Sequence, residues 1–151
     1  KSIDARLWIV GEGKLKEKIR KLSIQIGIDS RVHFLGVLDR DSLANRIKSA
    51  DCLVLPSKLE TFGVVIIEAL SCGVPVICTR CGGPETIVDD SNGIVIESTD
   101  PFTIANAMRE IRQKLPMYSP ETIRGNCIGR YGVDTVCSEI ENVYRNTISK
   151  L

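Results

Sequence analysis

The sequence predicts an α/β fold built on a parallel sheet, because short apolar runs alternate with longer amphipathic segments along its 151 residues. Glycine or proline follows several of these runs, as at Gly11, Gly36 and Pro56, and predicts turns there. Strand–helix–strand units wind right-handed, so we expect helices on both faces of the sheet. The loops that bind a ligand should then meet at the carboxyl edge of the strands.

Five short apolar runs predict the strands, at 6–10, 32–35, 52–55, 74–78 and 94–96. The first of these runs is interpreted as a buried strand. Apolar residues at helical spacing predict helices at 14–26, 41–48 and 62–72. The second of these helices would be capped by Asp39 or Asp41.

The rest of the chain is predicted to be mainly helical. Pro84 suits the first turn of a short helix, and Asp100 followed by Pro101 predicts a capped helix running to about 114. After a linker at 116–120, two more helices are expected near 120–130 and 133–149. We therefore expect one Rossmann-like domain over residues 1–151, with the helices from about 120 onward as a C-terminal extension.

The composition argues against several classes of function. The net charge of +1 and an aromatic content of 5% do not favour a nucleic-acid partner. No apolar run approaches the roughly 18 residues that a membrane span requires, and the first residues lack the pattern of a signal peptide. The six cysteines are interpreted as reduced thiols, so a cytoplasmic location is expected.

The most informative segment joins the strand at 52–55 to the helix at 62–72. Glu60 lies just before that helix, and Gly63 stands near its start. Glu68 lies within the helix in an otherwise apolar segment, 64–70, so we expect a buried carboxylate that needs hydrogen-bond partners. A strand that leads into a helix N-terminus is suited to binding an anion, because free N–H groups and the positive end of the helix dipole point outward. Two acids would repel a bare phosphate but could hold the hydroxyl groups of a nucleotide sugar.

The order of several motifs resembles glycosyltransferase family 4, a family of retaining, nucleotide-sugar-dependent enzymes of the GT-B fold. The resemblance runs from the glycine-rich turn at 11–13 to the helix ending near 114 and includes two glutamates, Glu60 and Glu68, with seven residues between them. It also includes the later segments Gly73-Val74-Pro75-Val76-Ile77 and Gly82-Gly83-Pro84-Glu85.

The resemblance implies a role for each matching position. Glu60 would be the catalytic residue, set against hydroxyl groups of the transferred sugar, and Glu68 would bind the ribose hydroxyls. The remaining donor-binding positions would contribute mainly backbone: Thr61, Phe62, Gly63 and Val64 toward the sugar and diphosphate, Val37 and Leu38 toward the base, and Gly11 and Gly13 lining the cleft.

The resemblance also implies a hexosyltransferase that uses a UDP-sugar or GDP-sugar donor in polysaccharide, glycan or glycolipid synthesis. Neither a metal nor another cofactor is expected. The family's first strand, with the basic residues that clamp the diphosphate, does not occur in the sequence, and we expect it between the strands at 6–10 and 52–55. The acceptor-binding N-terminal domain would therefore be a partner of this chain. Any association with a membrane would be made by that domain, and the chain alone would be inactive.

Other interpretations stay open at this point. A Rossmann-type nucleotide-binding or assembly module without catalysis is the main alternative, and a redox pair at Cys78 and Cys81 is a weaker one. His33 is interpreted as a structural strand residue. The segment from Gly82 to Glu85 fits either a direct role beside the donor sugar or a tight turn with an acid in the first turn of a short helix.

Overall fold

The structure is a computed structural model that describes residues 4–149. Strands and helices alternate as predicted, with boundaries that differ by a few residues. The strands are β1 (Leu7–Val10), β2 (Val32–Gly36), β3 (Leu53–Leu55), β4 (Val76–Thr79) and β5 (Gly93–Ile96). The helices are α1 (Lys16–Gln25), α2 (Arg40–Lys48), α3 (Val64–Ser71), α4 (Pro101–Lys114), α5 (Pro120–Tyr131) and α6 (Val133–Ile148).

The chain forms two compact units, one ending at Leu43 and the other beginning at Ala44. In the first unit, β1 pairs in parallel with β2, in register from Leu7 opposite Val32. The prediction that β1 is buried is wrong, because Leu7 is 47% exposed and Val10 is 40% exposed. The physical reason is that β1 has only β2 as a neighbouring strand among the described residues.

The second unit contains a three-stranded parallel sheet in the order β3-β4-β5. The central strand, β4, is buried along its whole length. One face of the sheet is covered by α4, where Ile77 packs with Ile96, Ala107 and Ile111. Within this sheet, β3 and β5 are the edge strands.

The opposite face of this sheet is covered by α3, which contacts β3 and β4. Ile66, Ala69 and Leu70 form the buried side of α3. Helix α5 packs in turn against α3, with Ile123 and Cys127 buried between them. The prediction of an α/β fold with parallel strands and flanking helices is confirmed. The treatment of residues 1–151 as one domain with a helical extension stays a prediction.

Local capping accounts for two of the helix starts. Asp100 accepts hydrogen bonds from the N–H groups of Phe102 and Thr103, at 2.9 and 3.0 Å, and Pro101 occupies the first helical position of α4. At α2 the cap is Asp39, which accepts a 2.8 Å hydrogen bond from the N–H of Ser42. None of the helices within residues 4–149 combines the length and the apolarity needed to cross a bilayer.

Candidate functional site

The loop between β3 and α3 brings a tight backbone turn to the start of the helix. Gly63 precedes α3 with φ +93°, a left-handed conformation in which a side chain would be strained, and a Cβ there would lie 3.0 Å from Ile66 Cδ1. No side chain caps the helix at this position. Within residues 4–149, the N–H groups of Val64 and Val65 have no hydrogen-bond partner. The positive end of α3 is therefore open to an anion.

Glu60 lies in this loop and is half-buried. Its Oε1 accepts a hydrogen bond from the N–H of Phe62 at 3.3 Å, so the carboxylate lies beside the loop that leads into α3. The Phe62 N–H is one of the groups predicted to face the donor diphosphate. This N–H therefore already has a partner in Glu60, unlike the N–H groups of Val64 and Val65.

Glu68 lies on the open face of α3. Val64, one turn earlier on the same face, is 61% exposed, and Glu68 is exposed as well. The expectation of a buried Glu68 is wrong, because Ile66, Ala69 and Leu70 take the face that packs on the sheet and leave Glu68 on the other side. Within residues 4–149 its carboxylate makes no hydrogen bond or ion pair, so it is available to a ligand.

A second loop, after β4, supports the loop that carries Glu60. The buried hydroxyl of Thr79 donates a hydrogen bond to the carbonyl of Ser57. The N–H of Gly83 donates to the carbonyl oxygen of Glu60 at 2.9 Å, and Glu60 and Gly82 form a parallel bridge. The sequence predicts that the two loops lie at the same edge of the sheet. No sequence feature indicates that they touch, or that the Thr79 hydroxyl joins them.

The other two site positions of this loop differ in surroundings. Thr61 is exposed, and the ring of Phe62 packs edge-on against Tyr131 at the end of α5. Tyr131 was not predicted as part of the site, since nothing in the sequence connects it to residue 62.

Of the two basic side chains near this loop, Arg80 is already engaged in an ion pair within the chain. Nε of Arg80 donates to both carboxylate oxygens of Glu97, at 2.9 and 3.1 Å. Lys58 is exposed and makes no ion pair within the described part of the chain.

The remaining predicted positions lie in the first unit. The N–H of Gly11 donates to the carbonyl of Gly36 at 2.7 Å, so the turns after β1 and β2 meet. A Cβ at Gly13 would meet nothing within 4 Å. Val37 is 77% exposed, and Leu38 is half-buried. Their roles in donor binding stay predictions.

The cysteines and the histidine do not form a chemical centre in the described residues. All six cysteines are free thiols. Cys78 is fully buried, and burial raises the pKa of its thiol to about 12, which leaves it unreactive at neutral pH. His33 is exposed on β2. No group of three or more His, Cys, Asp or Glu side chains within residues 4–149 is arranged to hold a metal ion.

Comparison with known proteins identifies the family. Residues 1–118 match the family model described as glycosyl transferases group 1. The chain belongs to this family. The predicted resemblance to glycosyltransferase family 4 is thereby confirmed.

The relatives and the solved structures agree with this membership. The chain is 32% identical over 145 residues to an uncharacterized glycosyltransferase of Methanocaldococcus jannaschii, covering 94% of this chain and 37% of the relative. It is 32% identical over 115 residues to the GDP-mannose-dependent monoacylated alpha-(1-6)-phosphatidylinositol monomannoside mannosyltransferase of Corynebacterium glutamicum, covering 72% of this chain and 30% of the relative.

Among solved structures, sucrose-phosphate synthase from Thermosynechococcus elongatus superposes with a TM-score of 0.82 at 26% identity, over 97% of this chain and 39% of that one. The chain therefore spans less than two fifths of the length of each of these three proteins.

Proposed function

We propose that this chain is the donor-binding part of a retaining glycosyltransferase that moves a sugar from a UDP-sugar or GDP-sugar to a hydroxyl acceptor. The observation that carries the proposal is the open N-terminus of α3, with unpartnered N–H groups at Val64 and Val65 and a free carboxylate at Glu68 on the same helix. Sequence similarity to a mannosyltransferase named as GDP-mannose-dependent supports a nucleotide-sugar donor.

In the proposed mechanism, the leaving diphosphate gains negative charge as the glycosidic bond breaks. N–H groups from Thr61 to Val64 and the dipole of α3 would stabilise that charge more in the transition state than in the ground state. Removing one such donor typically costs about 3 kcal/mol of transition-state stabilisation. Glu60 would orient the transferred sugar through its hydroxyl groups, and Glu68 would hold the ribose.

The rest of the parent protein is part of the proposal. Because the chain spans 30 to 39% of the relatives' length, we expect turnover to require the remaining sequence, including an acceptor-binding domain. The non-catalytic module is not favoured, because the relatives are named as glycosyltransferases.

Calorimetric titration of the full-length parent protein with UDP and with GDP tests the donor site. Replacing Glu68 by Gln should weaken binding of the preferred nucleotide by about 1–3 kcal/mol, because the neutral amide has one acceptor oxygen in place of two charged ones and accepts more weakly from the ribose hydroxyls. Glu139→Gln is the matched control, since Glu139 is an exposed helix glutamate in α6. Equal affinities for the two variants would refute the ribose assignment.

A further inference from the structure

The loops after β3 and β4 cross at backbone contact distance. A Cβ built on Gly83 would lie 2.5 Å from the carbonyl oxygen of Thr61 and 2.6 Å from Cα of Phe62. No side chain fits there. Because the two backbones are this close, the N–H of Gly83 donates a hydrogen bond to the carbonyl oxygen of Glu60 at 2.9 Å. The position of the Glu60 backbone therefore depends on the position of Gly83.

Glu85 in turn holds the loop that carries Gly83. Its carboxylate points back along its own chain, where Oε2 accepts from the N–H of Cys81 at 3.1 Å and both oxygens accept from the N–H of Gly82 at 3.1 Å. The backbone N–H groups of Glu85 itself, Cys81 and Gly82 hold the pKa of this carboxyl below its ordinary value, so the charged acceptor is maintained at neutral pH. This geometry fits the tight-turn interpretation of the segment.

The elements on either side of the loop are fixed without Glu85. Thr79 is buried at the end of β4, and Pro84, Ile87 and Val88 are buried after the turn. Cys81 is half-buried and Gly82 is exposed, so water can reach the N–H groups that Glu85 now binds. Loss of the carboxylate should therefore loosen residues 81–83 and leave the surrounding fold in place.

We propose that Glu85 is a positioning residue for Glu60, acting through the backbone of Gly82 and Gly83. This inference rests on the proposed function, in which Glu60 contacts the transferred sugar. Glu68 and the start of α3 are held separately, by the buried residues Ile66, Ala69 and Leu70. Glu85 should therefore affect the sugar-transfer step more than nucleotide binding, because Glu68 and the start of α3 do not depend on it, whereas the backbone of Glu60, Thr61 and Phe62 does.

The test compares Glu85→Ala, Glu85→Gln and the control Glu139→Gln in the full-length parent protein. Three quantities are measured: the dissociation constants of UDP and GDP, the rate of nucleotide release from UDP-glucose or GDP-mannose, and the melting temperature. For Glu85→Ala we expect nucleotide release to slow roughly 10- to 100-fold, as for a small misplacement of a reacting group. Nucleotide affinity should fall by a much smaller factor than the rate, because Glu68 and the start of α3 stay in place. Glu85→Gln keeps one acceptor oxygen and should recover most of the rate.

Each outcome bears on a separate claim. Nucleotide release by Glu85→Ala at the control rate would overturn the positioning role. So would a parallel loss of rate, nucleotide affinity and melting temperature, because that pattern indicates a purely structural role. Failure of the wild-type protein to bind either UDP or GDP would instead count against the proposed function on which the inference rests.

Discussion

The ring of Phe62 meets the ring of Tyr131 edge to face, with 6.2 Å between centroids and 81° between planes. Phe62 lies in the loop before α3, and Tyr131 is the last residue of α5. The contact therefore ties the end of α5 to the loop that carries Glu60.

We expect this ring pair to stabilise the site loop. Edge-to-face aromatic pairs contribute about 0.5–1.5 kcal/mol beyond the burial of their area. Tyr131→Phe should leave the free energy of unfolding nearly unchanged, because the ring remains, whereas Tyr131→Leu removes the ring contact. A double-mutant cycle of Tyr131→Leu with Phe62→Leu, measured by urea unfolding, should give a coupling energy in that range. A coupling energy of zero would mean that the rings are neighbours without a stabilising interaction.

The crossing of the two loops predicts that replacing Gly83 by Ala destabilises the protein, whereas the same replacement at Gly125 stabilises it. Gly83→Ala places a methyl group within 2.5 Å of the Thr61 carbonyl, so the loops must separate, and we expect a loss of about 1–3 kcal/mol in the free energy of unfolding. Gly125, inside α5, is the matched control, because a Cβ there meets nothing within 4 Å. Gly125→Ala should stabilise the helix by about 0.5–1 kcal/mol. Equal unfolding midpoints for the two variants would contradict the crossing.

Interactions between residues that are close in the chain were predictable from the sequence, whereas contacts between distant segments were not. Asp100, Pro101 and Gly63 act on their immediate neighbours, so the start of α4 and the turn before α3 were predictable from local chemistry. The crossing of Gly83 over Thr61 depends on two loops 22 residues apart in the chain, and no local pattern encodes it.

The exposure of Glu68 shows a second limit. Apolar residues on both sides of Glu68, from Val64 to Leu70, favour burial all around the helix, so the residue pattern alone did not identify the face that packs on the sheet. Only the contact of α3 with β3 and β4 shows that Val64 and Glu68 lie on the other face. Tyr131 was missed for the same reason, since its contact with Phe62 is a tertiary one.

Thiol labelling separates the cysteines by burial and tests the redox alternative. Burial raises the pKa of Cys52 and of Cys78 to about 12, whereas Cys137 is exposed on α6. Since the thiolate is the reactive form, we expect iodoacetamide at about pH 8 to modify Cys137 quickly and Cys52 and Cys78 only on unfolding. Peptide mass spectrometry with and without guanidinium gives the measurement. Rapid labelling of Cys78 in the folded protein would contradict this expectation and support the alternative in which Cys78 and Cys81 form a redox pair.

The cap of α4 predicts how stability changes in acid. Hydrogen bonds from the hydroxyl and the N–H of Thr103, then from Ser98 and the N–H of Phe102, lower the pKa of Asp100 from 3.8 to about 2. Because the folded-state pKa is the lower one, the stabilisation is complete above the ordinary pKa and disappears as the pH falls through about 2. Lowered pKa values at Asp39 and Glu85 act in the same direction.

Asp100→Asn isolates this contribution, because the amide keeps an acceptor for the helix N–H groups and does not ionise. The difference in melting temperature between wild type and Asp100→Asn should be constant from about pH 7 to pH 5 and should shrink between about pH 4 and pH 2. Thermal unfolding followed by circular dichroism across that range gives both curves. Curves that stay parallel down to about pH 2 would show that ionisation of Asp100 does not stabilise α4, and that the backbone hydrogen bonds are equally strong with a neutral cap.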